Sequence, residues 1–234
     1  MLGRVSGLVA VGSVLLAGCT NTPGVSLATP TASPTPARPA IIVAATPSPS
    51  PEAKALVVEH VGASASPTGF FAFALLSNPS TQAAADVKID ITSVDSSGRV
   101  LARGSGTIRQ IDPGHKQALA VRIAMTRILP TAFRGTVSGN RWLEAGNAAD
   151  PTEVMSAVFV QDPRTPSVRV RIANHASQPE RAAITAICFD DSGQLRGGGT
   201  TSAHLPASAG GQDAWVAVSI PVVPASCEAY ALAK

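Results

Sequence analysis

With 234 residues, 45% of them apolar, the chain is long enough for one or two domains and apolar enough to build a core, which excludes a wholly disordered protein. Aromatic residues make up 4% and charged residues 14%, so the core is drawn mainly from Val, Ile, Leu and Ala, a palette that suits small β-rich units better than a large enzyme core. Beyond residue 18 seventeen basic side chains face fifteen acidic ones, and that near-balance gives no case for a nucleic-acid partner.

Met1 to Arg4 form a short positive head and Val5 to Leu16 an uncharged apolar run. A bilayer-spanning helix takes about 20 residues, so this run predicts an export signal over residues 1–18 rather than a membrane span. It ends in Leu16-Ala17-Gly18-Cys19, which resembles the lipobox of bacterial lipoprotein signal peptides. The resemblance implies that Cys19 becomes the mature N-terminus, takes a diacylglyceryl group on its thiol and a further acyl chain, such as palmitate, on its amine. The protein would then sit on the extracytoplasmic side of a cell membrane. Several buried chains at ~0.8 kcal/mol per CH2 make release negligible. The plainer alternative is an ordinary secretory signal with a cysteine after it.

From residue 19 to 52 the composition predicts a disordered linker. Residues 21–52 hold eight of the nineteen prolines among Ser, Thr and Ala, which favours extended, solvated conformations and forms no core. Ile41-Ile42-Val43 interrupts it, either as a segment that docks on the body or as a harmless exposed patch. The chain has three cysteines, and with Cys19 taken by lipid, Cys188 and Cys227 remain. In an oxidising compartment they are expected to pair. The loop they close, of about 39 residues, is worth roughly 4 kcal/mol in chain entropy.

Beyond residue 53 apolar runs of strand length alternate with turn residues, and no segment keeps a helical period over three turns. The prediction is all-β. Strands are expected at 55–61, 70–77, 84–94, 100–110, 117–124 and 132–138, and again at 154–160, 167–174, 182–189, 195–204, 213–220 and 227–232. The two sets read as one unit written twice. Asn78 and Asn174 each precede a polar loop. The turn at Asp95-Ser96-Ser97-Gly98 matches Asp191-Ser192-Gly193, and Pro113 matches Pro206. The fold class expected is therefore two tandem immunoglobulin-like β-sandwich domains, 53–148 and 149–234, the second carrying the disulfide. Strands such as Val168-Arg169-Val170-Arg171-Ile172 have one apolar face, and a second sheet is needed to cover it. Ile184 to Phe189 is apolar in both phases and its register stays open.

The order of strand, Asn loop, strand ending before Asp-x-x-Gly, then Pro-Gly turn is similar to the FxLYD-type immunoglobulin-like domains of bacterial envelope proteins. The stretches that correspond are Ile91-Thr92-Ser93-Val94-Asp95 and Ile187-Cys188-Phe189-Asp190-Asp191. The resemblance implies a β-sandwich and no catalytic residue set.

The residues suggest little chemistry. His60, His115, His175 and His204 lack the spacing of a local metal clip, and no catalytic elbow or phosphate loop is present. Gly197-Gly198-Gly199 reads as a strand kink or bulge, and Asp190-Asp191-Ser192-Gly193 as a hairpin turn rather than a calcium loop. No cofactor, metal or enzymatic activity is expected. From Arg99 to Arg141 seven arginines and Lys116 face only Asp112. Arg103, Arg109 and Arg122 would form a basic binding face if they share one side, for anionic lipid, wall polymer or an acidic protein; otherwise they are a solvated sheet face. Trp215 is expected in the core, and Trp142 either between domains or exposed. The function expected is a lipid-anchored, non-catalytic binding or assembly module of the cell envelope, with an envelope protein or wall polymer as partner. The alternative is a lipoprotein that binds a small ligand, a metal or a wall polymer.

Overall fold

The computed structural model describes residues 54–66, 68–143, 151–162, 164–208 and 210–233. The leader, Cys19, the proline-rich linker and the expected boundary at 148/149 lie outside them. The described chain is all-β, with twelve strands: β1 (Val57–Ser66), β2 (Gly69–Ser77), β3 (Ala84–Val94), β4 (Val100–Ile111), β5 (Lys116–Ala124), β6 (Ala132–Trp142), β7 (Thr152–Val160), β8 (Ser167–Asn174), β9 (Glu180–Phe189), β10 (Leu195–Leu205), β11 (Gln212–Ala217) and β12 (Ser226–Ala233). Each predicted strand has its counterpart. The largest changes at strand ends are at β1, which runs on to Ser66, and β6, which runs on to Trp142; β11 stops at Ala217 instead of 220. Beyond Ala217 the chain turns away from its sheet, and the Ser219 amide donates to the Gly198 carbonyl of β10 at 3.0 Å.

The strands form four antiparallel sheets of three, in the orders β1-β2-β5, β4-β3-β6, β11-β8-β7 and β10-β9-β12. The last two repeat the pairings of the first two strand for strand, six positions on. Three apolar seams hold them. Leu76, Ile89, Ile91 and Ile123 lie in the first, between the first pair of sheets. Val168, Val170, Ile172 and Ile184 lie in the second, between the other pair. Arg169 and Arg171, in alternate positions, face solvent, as the period of two dictates.

The third seam joins the halves. Phe73 and Leu75 of β2 and Ala118 of β5 meet Ile187 and Phe189 of β9 and Leu195 of β10. It explains why β9 is apolar in both phases: Ile184, Ala186 and Cys188 face the second seam, while Ile187 and Phe189 face the first half. Pro49–Lys234 is accordingly one compact unit. The Gly triplet of β10 belongs to this tight packing. A register shift falls between Leu195 and Gly197, the expected bulge. A Cβ on Gly199 would fall on the carbonyl oxygen of Ala217, a backbone atom with no freedom to yield.

The internal repeat is set by side chains that bind the backbone. The Asn78 amide donates to the Ile111 carbonyl at 2.9 Å and to Gln82 at 2.8 Å, and the Asn174 amide donates to Pro206 at 2.9 Å and Gln178 at 3.1 Å. At the hairpin turns Asp95 accepts from the Ser97 and Arg99 amides and Asp190 from those of Ser192 and Gln194, each at 3.0 Å. The counterpart of Asp95 is therefore Asp190, not Asp191. In the second FxLYD-like stretch the aspartate position falls one residue earlier than expected. Pro206 likewise matches Asp112 rather than Pro113, because Gly114 and Ser208 share the left-handed position of that turn, with φ of 73° and 50°. The spacing shrinks by one residue across each of two strands. The first half holds the extra residues opposite each other, as Asp86 (φ 52°) and Arg109, between the pairs Ala85↔Gln110 and Val87↔Ile108.

Both turn carboxyls are held below the ordinary value of 3.8, Asp95 chiefly by the Ser97 hydroxyl and Asp190 by the Ser192 hydroxyl and then Arg196. With a depressed folded-state pKa, their contribution to stability is present above pH ~4 and is lost as pH falls through the folded value. In a carboxyl NMR titration both resonances are expected to move only below that pH. An Asp190 midpoint at the ordinary value would contradict the turn geometry.

Candidate functional site

Antiparallel pairing of β9 with β12 sets Cys227 opposite Cys188, with Cα atoms 4.1 Å apart, and the two form a disulfide. Cys188 is fully buried in the second seam.

The arginines are divided. Arg103 and Arg109 are exposed on the outer face of β4, where Arg103 and Arg134 flank Thr92 across β4-β3-β6. Arg122 belongs to the other sheet, on the side of β5 that carries Ala118, so the three do not share one face. Its guanidinium lies 5.5 Å from the centre of the Phe71 ring, and Nη2 donates to Thr68 Oγ1 at 3.2 Å. Trp215 is also placed differently from the expectation. Val216 takes the inward position of β11, so Trp215 points outward, 54% exposed, opposite Arg169. Trp142 is half-buried against the first seam.

The halves enclose a polar cleft of about 600 Å³ where the β4–β5 turn meets β7, the residue after β8, and β12. His115 and His175, sixty positions apart in sequence, both line it. His175 Nε2 lies 2.7 Å from Glu153 Oε2, and Lys116 Nζ donates to Glu59 Oε2 at 2.6 Å. That hydrogen bond raises the Lys116 pKa and lowers that of Glu59. Burial, aided by a hydrogen bond to Glu228, pushes the Tyr230 phenol well up, so it serves as a donor and not as a base. Gln117 ties the rim across the seam by donating to the Ala231 carbonyl at 2.9 Å. These groups can hold a polar ligand by hydrogen bonds. Among the described residues no cluster of three His, Cys, Asp or Glu side chains is placed to hold a metal ion. His60 packs edge-on against Phe189, with centroids 5.2 Å apart, and His204 is exposed on β10.

The sequence offers loops or an inter-domain cleft for the ligand-binding alternative but names no residue of it, because the cleft forms only when the halves pack together. His115 and His175 are not repeat counterparts, but each lies at the Asn-loop end of its half, and that shared end is the signal that points to it. No protein-family model matches the chain, and no curated protein does.

Proposed function

We propose that the chain is a lipid-anchored extracytoplasmic protein whose two immunoglobulin-like halves, over residues 53–148 and 149–234, act as a non-catalytic binding or assembly module of the cell envelope. The fate of the cysteines carries this reading. Cys188 and Cys227 are joined, which favours an oxidising compartment, and the third cysteine stands at the end of a lipobox-like leader. The repeated pairing of three-stranded sheets, each pair around its own apolar seam, supports the immunoglobulin-like reading. Mass spectrometry of the mature protein from its native cell tests the anchor: an N-terminal Cys19 with acyl chains is expected, and Cys19→Ser should release the protein from the membrane fraction. An unmodified thiol, or an intact leader in the cytosol, would overturn it.

The polar cleft favours a second reading, a lipoprotein that binds a small polar ligand or a wall polymer between the halves. Equilibrium binding of soluble wall fragments, lost on His175→Ala and Lys116→Ala, would select it over a module that acts only through protein contacts.

A further inference from the structure

Among the described residues most of the exposed large apolar side chains lie in or beside the turns at the far end of each half. Ten large apolar residues are exposed in the described chain. Six of them, Val100, Met125, Ile128, Leu129, Val222 and Val223, lie in or next to the turns and loops opposite the polar cleft. The loop from β5 to β6 carries Met125, Ile128 and Leu129, the last 71% exposed. The loop from β11 to β12, its counterpart in the second half, carries Val222 and Val223, the latter 63% exposed. The two loops approach each other beside β1. Thr131 and Pro221, one from each loop, line one groove that runs along β1 from Glu59 to Ala63, and Ser219 Oγ donates to the Ala65 carbonyl of β1 at 3.3 Å.

Charge at this end is uneven. In the first half Arg99, Arg103, Arg122, Arg127 and Arg134 face Asp95, already bound by Arg99 at 3.1 Å, and Asp90, which shares the outer face of Arg103 and Arg134. In the second half Arg164 and Arg196 face Asp162, Asp190 and Asp191, with Asp190 held by Arg196 at 2.6 Å. The balance is positive, and Arg127 lies within the more apolar loop itself.

We propose that this end is a membrane-docking surface: the tips of the two loops enter the interfacial region of a bilayer while the arginines of the first half engage anionic lipid headgroups. Loop tips that project apolar side chains from a basic rim fit a penetrable, negatively charged surface better than the flat face that a folded protein presents. The expected anchor allows it. The chain enters β1 at Val57, at the cleft end, so it must return along one strand of ten residues, roughly 33 Å. The 33 residues from 20 to 52 reach at most about 115 Å.

The test does not depend on lipid at Cys19. Residues 49–234, the compact unit that holds all twelve strands, are sedimented with vesicles of phosphatidylcholine alone and with vesicles containing a third phosphatidylglycerol. Binding to the anionic vesicles is expected, weakened by salt. It should fall at least tenfold in a variant with Ile128→Ser, Leu129→Ser and Val223→Ser, and in a separate variant with Arg127→Ser and Arg134→Ser. These side chains are exposed, and an unchanged Tm in each variant establishes that the fold is kept. In a third variant Leu129→Trp should show a blue-shifted emission on anionic vesicles. No binding by the wild type, or equal binding by the loop variant, would overturn the proposal and leave the reading of Cys19 untouched.

Discussion

Replacing Cys188 and Cys227 together by alanine is expected to lower the unfolding free energy by about 4 kcal/mol. The bond closes a loop of 39 residues and joins the central strand β9 to the edge strand β12. Without it the unfolded chain regains the freedom of that loop, while the folded state loses a cross-link that sits within the second seam. For a body of this size each kcal/mol is worth roughly 2–4 °C, so Tm should fall by about 8–16 °C. Calorimetry of the double variant beside the oxidised wild type measures it. A difference under about 3 °C would show that the second seam holds its strands without covalent help.

Phe73→Ala is expected to cost about 3–5 kcal/mol, as deletion of a buried aromatic side chain does, and to weaken both halves together. Phe73 is 1% exposed, and it lies in the seam that joins the halves, not in the interior of either. The two tryptophans report on the halves separately, Trp142 against the first seam and Trp215 on β11. In single-tryptophan variants, denaturant transitions followed at the two positions should coincide and shift to one lower midpoint. If the Trp215 transition stays in place while the Trp142 transition moves, the halves unfold independently and the seam is only a contact.

Much of the fold is legible in the amino-acid sequence because its signals are local. Most strands are apolar or alternating runs set off by turn residues, and the Asn loops and Asp turns recur because the same side chains satisfy the same backbone groups in both halves. What is not legible depends on parity or on distance. Asp190 and Asp191 are adjacent, and only the carboxylate that accepts the Ser192 amide reveals which one makes the turn. In β11 Trp215 and Val216 are neighbours of similar apolarity, so composition does not say which points inward; pairing with β8 decides for Val216. The apolar character of Ile187 and Phe189 reads as an unclear register until a third seam exists to bury them. The cleft is the remotest feature of all, since His115 and His175 come to line one cavity only when the halves pack together. The basic stretch is visible as composition, but composition does not reveal that Arg122 belongs to a different sheet from Arg103 and Arg109.

The seam between the halves has a mechanical consequence. The sheets β1-β2-β5 and β10-β9-β12 have apolar groups buried on both sides, so bending one half on the other would open hydrocarbon to water. The two halves therefore resist bending on each other as long as that seam stays closed.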